Sequence, residues 1–314
     1  MQSLLQVSRS QLSNMVQFDK VTRKKSKLRA ALIGPSGSGK TMSSLYLAYG
    51  ITGDWSKIAL IDTEHERGRF YANRSDLDTG SFLYASLLPP YSVDRYIEYA
   101  QSAAQAVGED GVIIVDSFSH AWDNEGGILD VKSEIAKRPG KNDYTAWDEA
   151  GKKQNELVNA LLSVNCHTII TMRTKTAYVM EVNEKGKTTP VKIGLAPVQR
   201  ENTEYEFDIV LQINRDHIAT ASKDTTFLDK WEKVIAPDLG KQLKEWLNEG
   251  KEPDRCSDCG GIIRSSGSHS AEDVAQRALN LFGRTLCANC GKKEKEKREK
   301  EQKETEAQNG GNEG

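Results

Sequence analysis

Short apolar runs alternate with longer amphipathic segments over the first half of the chain. The longer segments carry apolar residues at intervals of three and four positions, which is the spacing of one helical face. Strands that alternate with helices are typical of a mainly parallel sheet covered on both faces, so the pattern predicts an α/β fold. The predicted strands are 30–33, 58–61, 82–88, 112–115 and 168–172, and the predicted helices are 42–51, 93–107 and 144–164.

The pattern changes beyond the last of these strands. Two stretches that favour strands, 178–182 and 188–193, flank the polar segment 183–187, which contains a glycine and resembles a hairpin loop. A further strand over 205–213 and a helix over 239–247 are expected to complete the same domain.

The composition restricts the compartment and the partners. The chain has 314 residues, with 43 Lys and Arg against 45 Asp and Glu, and its formal net charge is −2. Contact with nucleic acid would therefore need a local basic patch rather than the average field. No apolar run approaches the length that spans a bilayer, and the N-terminus is too polar for a signal peptide. We therefore expect a cytoplasmic protein with no membrane partner.

A glycine-rich segment follows the first predicted strand and opens the first predicted helix. It matches the P-loop pattern Gly-x-x-x-x-Gly-Lys-Ser/Thr in the context that the pattern requires. Its amide groups would face the phosphates of ATP, its lysine would neutralise the β and γ oxygens, and its threonine hydroxyl would ligate Mg²⁺. The alternative is a glycine-rich turn that matches by chance. The residues are Gly34, Pro35, Ser36, Gly37, Ser38, Gly39, Lys40 and Thr41.

Two acidic residues at strand ends are candidates for the rest of a hydrolytic site. Asp116 follows the strand 112–115 and is the candidate Walker B residue, which holds Mg²⁺. In many P-loop ATPases the residue after the Walker B Asp is acidic and orients the attacking water. Here that residue is Ser117, so the water-activating carboxylate must come from elsewhere. Glu64 follows the strand 58–61, and a parallel neighbour of the P-loop strand would deliver it to the same edge. The alternatives are an Asp that caps a turn and a surface glutamate.

Four of the five cysteines form two Cys-x-x-Cys pairs near the C-terminus. The 27 residues between the pairs carry a helical apolar stripe that can pack over them. Four thiolates fill a tetrahedral Zn²⁺ site, so we predict a small structural zinc ribbon, with free thiols as the alternative. His269 is expected to begin a helix rather than bind the metal. The predicted zinc ligands are Cys256, Cys259, Cys287 and Cys290.

The segments 59–65 and 112–117 resemble the parts of the RecA-like recombinase core that carry its catalytic glutamate and its Walker B strand. More narrowly, the chain resembles phage AAA-type ATPases related to single-strand annealing recombinases, over about residues 28–250. The shared motifs are Gly-Pro-Ser-Gly-Ser-Gly-Lys-Thr, Ile-Asp-Thr-Glu, Asp-Ser-Phe-Ser-His-Ala-Trp (116–122), Thr-Met-Arg-Thr-Lys (171–175) and Glu-Tyr-Glu-Phe-Asp (204–208).

The resemblance implies that Thr171 and Arg173 occupy the polar position that senses the γ-phosphate, which adds Arg173 to the catalytic candidates Lys40, Glu64 and Asp116. It also implies that the segment 173–192 corresponds to a DNA-binding loop. Cations interspersed with a tyrosine suit single-stranded DNA. A solvated hairpin is the alternative, because two glutamates dilute the charge. The candidate DNA contacts are Arg173, Lys175, Tyr178, Lys185 and Lys187.

RecA-like ATPases usually act as rings or filaments in which a neighbouring subunit supplies a basic finger, and we therefore expect a homo-oligomer. Arg200 and Lys192 are the candidate fingers. The leading hypothesis is an ATP-hydrolysing, single-stranded-DNA-binding phage recombination protein that anneals or exchanges strands. A single-strand-binding protein is a candidate partner, and the location would be the host cytoplasm. The alternatives are a zinc-containing adaptor or loader in DNA replication that ATP switches with little turnover, and a P-loop phosphotransferase.

The expected domain organisation follows from these assignments. A RecA-like P-loop domain would be followed by a linker, the zinc-binding module and a tail with equal numbers of basic and acidic residues and no apolar stripe. Such a tail is expected to be disordered or a frayed helix. The predicted parts are an N-terminal arm at 1–27, the ATPase domain at 28–250, the zinc module at 251–291 and the tail at 292–314.

Overall fold

The computed structural model describes residues 20–182, 188–267 and 269–309. The chain divides into two compact units. Residues 26–248 form the larger unit, and the described residues of the smaller unit are 20–25, 249–267 and 269–309. Each helix in these ranges is too short or too polar to cross a membrane.

The larger unit is built on a mixed, mostly parallel sheet, so the expected α/β fold class is confirmed. The strands run in the order β3-β2-β4-β5-β1-β7-β8-β9, and β6 pairs with β5 outside this path. All pairs from β3 to β7 are parallel, whereas β6, β8 and β9 pair in an antiparallel manner. The strands are β1 (Arg29–Gly34), β2 (Ile58–Asp62), β3 (Leu83–Ser86), β4 (Val112–Asp116), β5 (His167–Val182), β6 (Thr188–Pro197), β7 (Ile209–Ile213), β8 (Ile218–Asp224) and β9 (Glu232–Val234).

Helices cover both faces of this sheet. Successive residues of a strand point to opposite faces, so Ala31 and Ile33 of β1 pack with α2 and α5, whereas Ala30 and Leu32 pack with α1 and α6. Burial on both faces explains why the central strands are continuous apolar runs in the sequence. The helices are α1 (Lys40–Thr52), α2 (Val93–Val107), α3 (His120–Asp123), α4 (Ile128–Ala136), α5 (Asp143–Ser163) and α6 (Pro237–Leu247).

The expected place of β2 beside the P-loop strand is wrong. β5 pairs with β1 and β4 pairs with β5, so two strands separate β2 from β1. The carboxyl ends of β1, β2, β4 and β5 nevertheless meet at one edge, because these strands are all parallel. The loop after β2 therefore reaches the site from the far side of β4.

The predicted strand over 205–213 is also too long. A turn of 3₁₀ helix covers Thr203–Glu206, and Asn202 before it has a φ of 68°. Only Ile209–Ile213 forms a strand, because the preceding residues turn before the chain enters the sheet.

The predicted hairpin is confirmed and begins inside the sheet. The first part of β5 pairs with β1 and β4, and the part from Thr174 to Val182 pairs with β6. Residues 183–187 of the predicted loop lie outside the described residues. Arg173 is the last β5 residue paired with β1, and its carbonyl accepts a hydrogen bond from Val198 N–H at 2.7 Å. Arg173 thus marks the junction of sheet and hairpin.

The basic residues before β1 form ion pairs and hydrogen bonds within the unit to which each belongs. In the smaller unit, Lys24 pairs with Asp254 at 2.9 Å and with Glu272 at 2.6 Å. Lys25 N–H donates to Lys251 O at 2.9 Å, so residues 20–25 group with the C-terminal segment instead of standing as a separate arm. These ion pairs neutralise a basic run that a nucleic-acid interface would need free.

The charged tail is helical where it is described. The smaller unit contains α7 (Ala271–Phe282) and α8 (Ala288–Asn309), and α8 includes most of the segment for which disorder or a frayed helix is expected. Ion pairs four residues apart accompany it, such as Lys297 with Glu301 at 3.7 Å and Arg298 with Glu294 at 3.0 Å. Pairs at this spacing support a helix that has no apolar stripe.

Candidate functional site

The glycine-rich segment between β1 and α1 folds as a tight loop. Gly37 and Gly39 have φ angles of 80° and 84°, which glycine adopts without the steric cost that a Cβ brings. At Gly34, a Cβ would lie 2.5 Å from the carbonyl oxygen of Ile213. Gly39 then caps α1, so the N-terminus of this 13-residue helix opens toward the loop.

Lys40 is the buried cation of the loop. Its Nζ donates to the carbonyl oxygens of Gly34 and Pro35, at 3.0 Å each. Burial lowers the pKa of Lys40, although the negative charges of Asp116 and Glu64 oppose this effect. Both of these hydrogen-bond acceptors are neutral, so phosphate oxygens would give the ammonium an anionic hydrogen-bond partner. The donor set of the loop therefore fits a nucleotide's phosphates.

Asp116 joins three separate elements at the carboxyl edge of the sheet. Its two carboxylate oxygens accept hydrogen bonds from the hydroxyls of Thr41 on α1 and Thr171 on β5. Burial raises the pKa of Asp116, while the two hydroxyls act in the opposite direction. A hydroxyl and a carboxylate oxygen in contact are the hard ligands that Mg²⁺ takes in P-loop proteins, so Thr41 and Asp116 fit the metal.

Asp62 holds the loop that carries Glu64. One of its carboxylate oxygens accepts the Glu64 N–H at 2.5 Å, and the other accepts the Gly68 N–H at 2.7 Å and the Tyr84 hydroxyl at 3.0 Å. Burial and the bond to Asp62 raise the pKa of Tyr84 to about 12, so this hydroxyl stays protonated and donates. No sequence pattern marks this role of Asp62, because it depends on contacts with Gly68 and Tyr84.

Glu64 forms a bidentate ion pair with Arg173. Arg173 Nε lies 2.7 Å from Oε1 of Glu64, and a terminal guanidinium nitrogen lies 2.6 Å from Oε2. Burial raises the pKa of Glu64, but the hydrogen bonds and charge of Arg173 outweigh burial and hold the pKa below its ordinary value. Glu64 is therefore ionised at neutral pH, and its side chain is 18% exposed against 38% for Arg173.

The segment after Asp116 ties the two partners of this ion pair in place. Ser117 N–H donates to the Thr63 hydroxyl at 2.8 Å, and His120 Nδ1 lies 2.7 Å from the same hydroxyl. Ser119 Oγ accepts the Arg173 N–H at 2.9 Å. Burial, together with the charge of Arg173, lowers the pKa of His120, which favours the neutral ring. The motif Asp-Ser-Phe-Ser-His-Ala-Trp (116–122) thus has a positioning role that its sequence alone does not indicate.

The structure brings together the candidates Lys40, Thr41, Glu64, Asp116 and Arg173. Their hydrogen bonds and mutual electrostatic effects on pKa place them at the end of β1, β2, β4 and β5. Of the remaining P-loop candidates, Ser36 and Gly37 are exposed, Pro35 is half-buried, and Ser38 is fully buried.

The finger candidate Arg200 and the DNA candidate Lys175 lie outside this cluster. Arg200 donates to the side chain of Asn155 at 3.3 Å and lines a polar cavity of about 470 Å³ against α5, which includes no P-loop residue. Lys175 is exposed in β5, beyond Arg173. Lys185 and Lys187 lie outside the described residues, as do the side chains of Tyr178 and Lys192.

The four cysteines of the two pairs form one cluster in the smaller unit. The Sγ atoms of Cys256, Cys259, Cys287 and Cys290 all lie within 4.8 Å of one another. A small core that includes Ile263, Ala278 and Leu286 packs with them. Burial raises the pKa of the Cys256 thiol, but backbone N–H groups outweigh burial and bring it to about 6. Such a set of thiols can hold one tetrahedral metal ion.

Residues 26–240, more than half of the chain, match a family model described as an AAA domain. A search of curated proteins gave no match to the chain. The matched residues contain every member of the cluster around Lys40 and Asp116, and they exclude the four cysteines.

We predict that Asp116→Asn stabilises the free protein at neutral pH while abolishing nucleotide turnover. The pKa of Asp116 in the folded state lies above its unfolded value of about 3.8. Ionisation of Asp116 therefore lowers the free energy of unfolding progressively as pH rises above that value. Asn is nearly isosteric and can still hydrogen-bond the two threonine hydroxyls. Thermal unfolding between about pH 4 and pH 8 checks this: the advantage of the variant should shrink as pH falls. An advantage that grows toward acid would contradict the assignment.

Proposed function

Since the chain belongs to the AAA domain family, we propose that it is a Mg²⁺-dependent ATPase that binds single-stranded DNA and acts in phage recombination, by annealing or exchanging strands. The observation that carries the ATPase part is the meeting of Lys40, Asp116 and Glu64 at one edge of the sheet. A cation, an oxygen pair for Mg²⁺ and an ionised carboxylate are the groups that hydrolysis of a γ-phosphate requires.

Each of these groups has a distinct role in hydrolysis. The P-loop amides and Lys40 would hold the phosphates, and Thr41 and Asp116 would hold Mg²⁺, which would supply positive charge against the charge that develops on them. Glu64 orients the attacking water and takes its proton. Arg173 has two competing anionic partners, the Glu64 carboxylate and the γ-phosphate. When Arg173 turns to the phosphate, the carboxylate of Glu64 becomes available to water.

The proposed DNA contact is the hairpin of β5 and β6. Arg173, which pairs with Glu64, is followed directly by the hairpin, so a ligand on the hairpin acts on the strand that holds this cation. Lys175 is exposed two residues beyond Arg173 and has no acidic partner among the described residues. Cations along a strand suit the phosphates of single-stranded DNA.

The recombination role and the assembly rest on the resemblance to RecA-like recombinases. We propose a ring or filament in which a neighbouring subunit contributes a basic finger to the nucleotide, with Arg200 or Lys192 in that role. The guanidinium of Arg200 contacts Asn155 of α5, in a cavity that no P-loop residue lines. Arg200 is thus away from its own nucleotide site, as expected of a finger that acts on another subunit. A single-strand-binding protein is a proposed partner, and the cytoplasm of the host cell is the proposed location.

A second candidate function is an adaptor or loader in DNA replication that ATP switches with little turnover. The bidentate ion pair favours it, because a carboxylate held by Arg173 is not free to activate water. The two candidates differ in whether a second ligand, such as DNA, releases Glu64.

We predict that single-stranded DNA stimulates ATP turnover of the wild-type protein, and that Glu64→Gln lowers turnover at least about 100-fold in the presence of DNA. The amide keeps the size of the side chain but cannot accept a proton. Nucleotide binding should persist, since Lys40 and the P-loop are unchanged. Phosphate release and nucleotide titration measure the two quantities.

Glu66→Gln is the matched control, because Glu66 lies in the same loop and is exposed. It should turn over ATP at the wild-type rate. Equal, slow rates for the wild type and Glu64→Gln would favour the switch. Absence of any DNA effect at modest salt would remove the recombination proposal and leave the ATPase.

We predict that Lys175→Ala weakens binding of a labelled single strand and makes its dependence on salt shallower, by about 0.7 in the logarithmic slope. Removing one cation that faces a phosphate releases one counterion fewer. The control is Lys57→Ala, an exposed lysine at the amino end of β2, on the opposite edge of the sheet. Identical slopes for the two variants and the wild type would exclude Lys175 from the DNA site.

We propose that the cysteine cluster is a structural zinc ribbon. Four thiolates complete a tetrahedral Zn²⁺ site and leave no position for a substrate. The few buried residues of the smaller unit form a core too small to fold without such a ligand, which gives the metal a folding role.

We predict that the purified protein holds a single zinc ion per chain and that Cys287→Ser or a strong chelator removes it and unfolds the smaller unit. ATP turnover should persist, because all four cysteines lie outside residues 26–248. Metal analysis and circular dichroism provide the measurement. The control is Cys166→Ala, at a buried cysteine outside the cluster, which should keep its zinc. A zinc-free wild-type protein with an intact smaller unit would refute the ribbon.

A further inference from the structure

The turn between β7 and β8 packs against the P-loop on the side opposite to Asp116. β7 pairs with β1 on one side, whereas β5 and then β4 lie on the other. Asn214 fixes the turn, because its side-chain oxygen accepts the N–H groups of Asp216 at 2.9 Å and Ile218 at 3.0 Å. The turn is therefore a rigid support next to the loop.

His217 makes the contact with the P-loop. Its Nδ1 lies 3.0 Å from the carbonyl oxygen of Ser38. A carbonyl oxygen can only accept, so Nδ1 carries the hydrogen and donates it. The same ring occupies the space beside Gly39, where a Cβ would lie 2.9 Å from Nδ1. The imidazole thus fills the space that a side chain at position 39 would occupy.

This hydrogen bond fixes the orientation of one peptide plane. The C=O of Ser38 and the N–H of Gly39 belong to the same planar trans peptide, so they point in opposite directions. Holding the carbonyl on the His217 side directs the Gly39 N–H away from His217. The amides of a P-loop are the groups with which it holds phosphates, so the direction of this N–H affects phosphate binding.

We propose that His217 is a positioning residue that preorganises the P-loop for the phosphates of the nucleotide. This inference rests on the proposed function, because it requires the loop to bind a nucleotide. Preorganisation lowers the cost of ordering the loop on binding. Its effect should appear equally in ATP and ADP affinity, since both nucleotides carry the α- and β-phosphates, and should leave the chemical step nearly unchanged.

The backbone of His217 allows a sharp pair of variants. Its φ is 65°, in the left-handed region that Gly and Asn adopt more readily than other residues. His217→Gly keeps this backbone conformation and removes the donor. His217→Asn keeps the conformation and places an amide nitrogen at about the position of Nδ1. The pair therefore separates the hydrogen bond from the strain of the turn.

The experiment is calorimetric titration of Mg²⁺-ATP and Mg²⁺-ADP into the full chain, with steady-state turnover of the same samples. For His217→Gly, Kd should rise roughly 5- to 10-fold for both nucleotides, the effect of one hydrogen bond, while kcat at saturating ATP changes less than about 2-fold. His217→Asn should bind within about 2-fold of the wild type. Arg215→Ala, an exposed position of the same turn, is the control and should match the wild type.

Each outcome decides the question. Wild-type affinity in His217→Gly would overturn the inference while leaving the ATPase proposal intact. Equal weakening in the Gly and Asn variants would also overturn it, because the donor would then have no role. A wild-type chain that binds neither nucleotide would overturn the proposed function, and the inference with it.

Discussion

The carboxylate of Asp116 is buried where three parts of the chain converge, and its burial is tolerated because hydroxyls from α1 and β5 satisfy both oxygens. This contact requires β1, β5 and β4 to be parallel and in register, so that their carboxyl ends meet. The same register brings the loop after β2 to the site. The parallel sheet therefore holds the buried carboxylate of Asp116 at the same edge as the ammonium of Lys40.

The polar network around Asp116 extends to the hairpin. Thr63 N–H donates to the Asp116 carbonyl at 2.7 Å, and Ser119 holds the backbone of Arg173. The side chains of Glu64 and Arg173 meet between these two anchors. Arg173 therefore stands at the start of the strand pair proposed to contact DNA. Under the proposed function, the nucleotide and the DNA would share this one element.

The sequence predicts those elements of the fold whose residues are buried on both faces of the sheet. Continuous apolar runs identify β1, β2 and β4, because strands covered on both faces exclude polar residues. The order of strands could not be predicted from these runs, so the position of β2 was wrong although the edge reached by Glu64 was right. The sequence pattern does not predict β8, because this strand is half-exposed and carries polar residues. The roles of Asp62 and His217 depend on contacts between distant segments, and no local pattern marks them.

The most direct test is a crystal structure of the protein with Mg²⁺, ADP, aluminium fluoride and single-stranded DNA, since the fluoride complex imitates the phosphoryl group in transfer. We predict that the Arg173 guanidinium leaves Glu64 and contacts the fluoride, and that the Glu64 carboxylate contacts the water in line with it. An ion pair between Glu64 and Arg173 that persists in this complex, with another carboxylate at the water, would contradict the proposed role of Glu64.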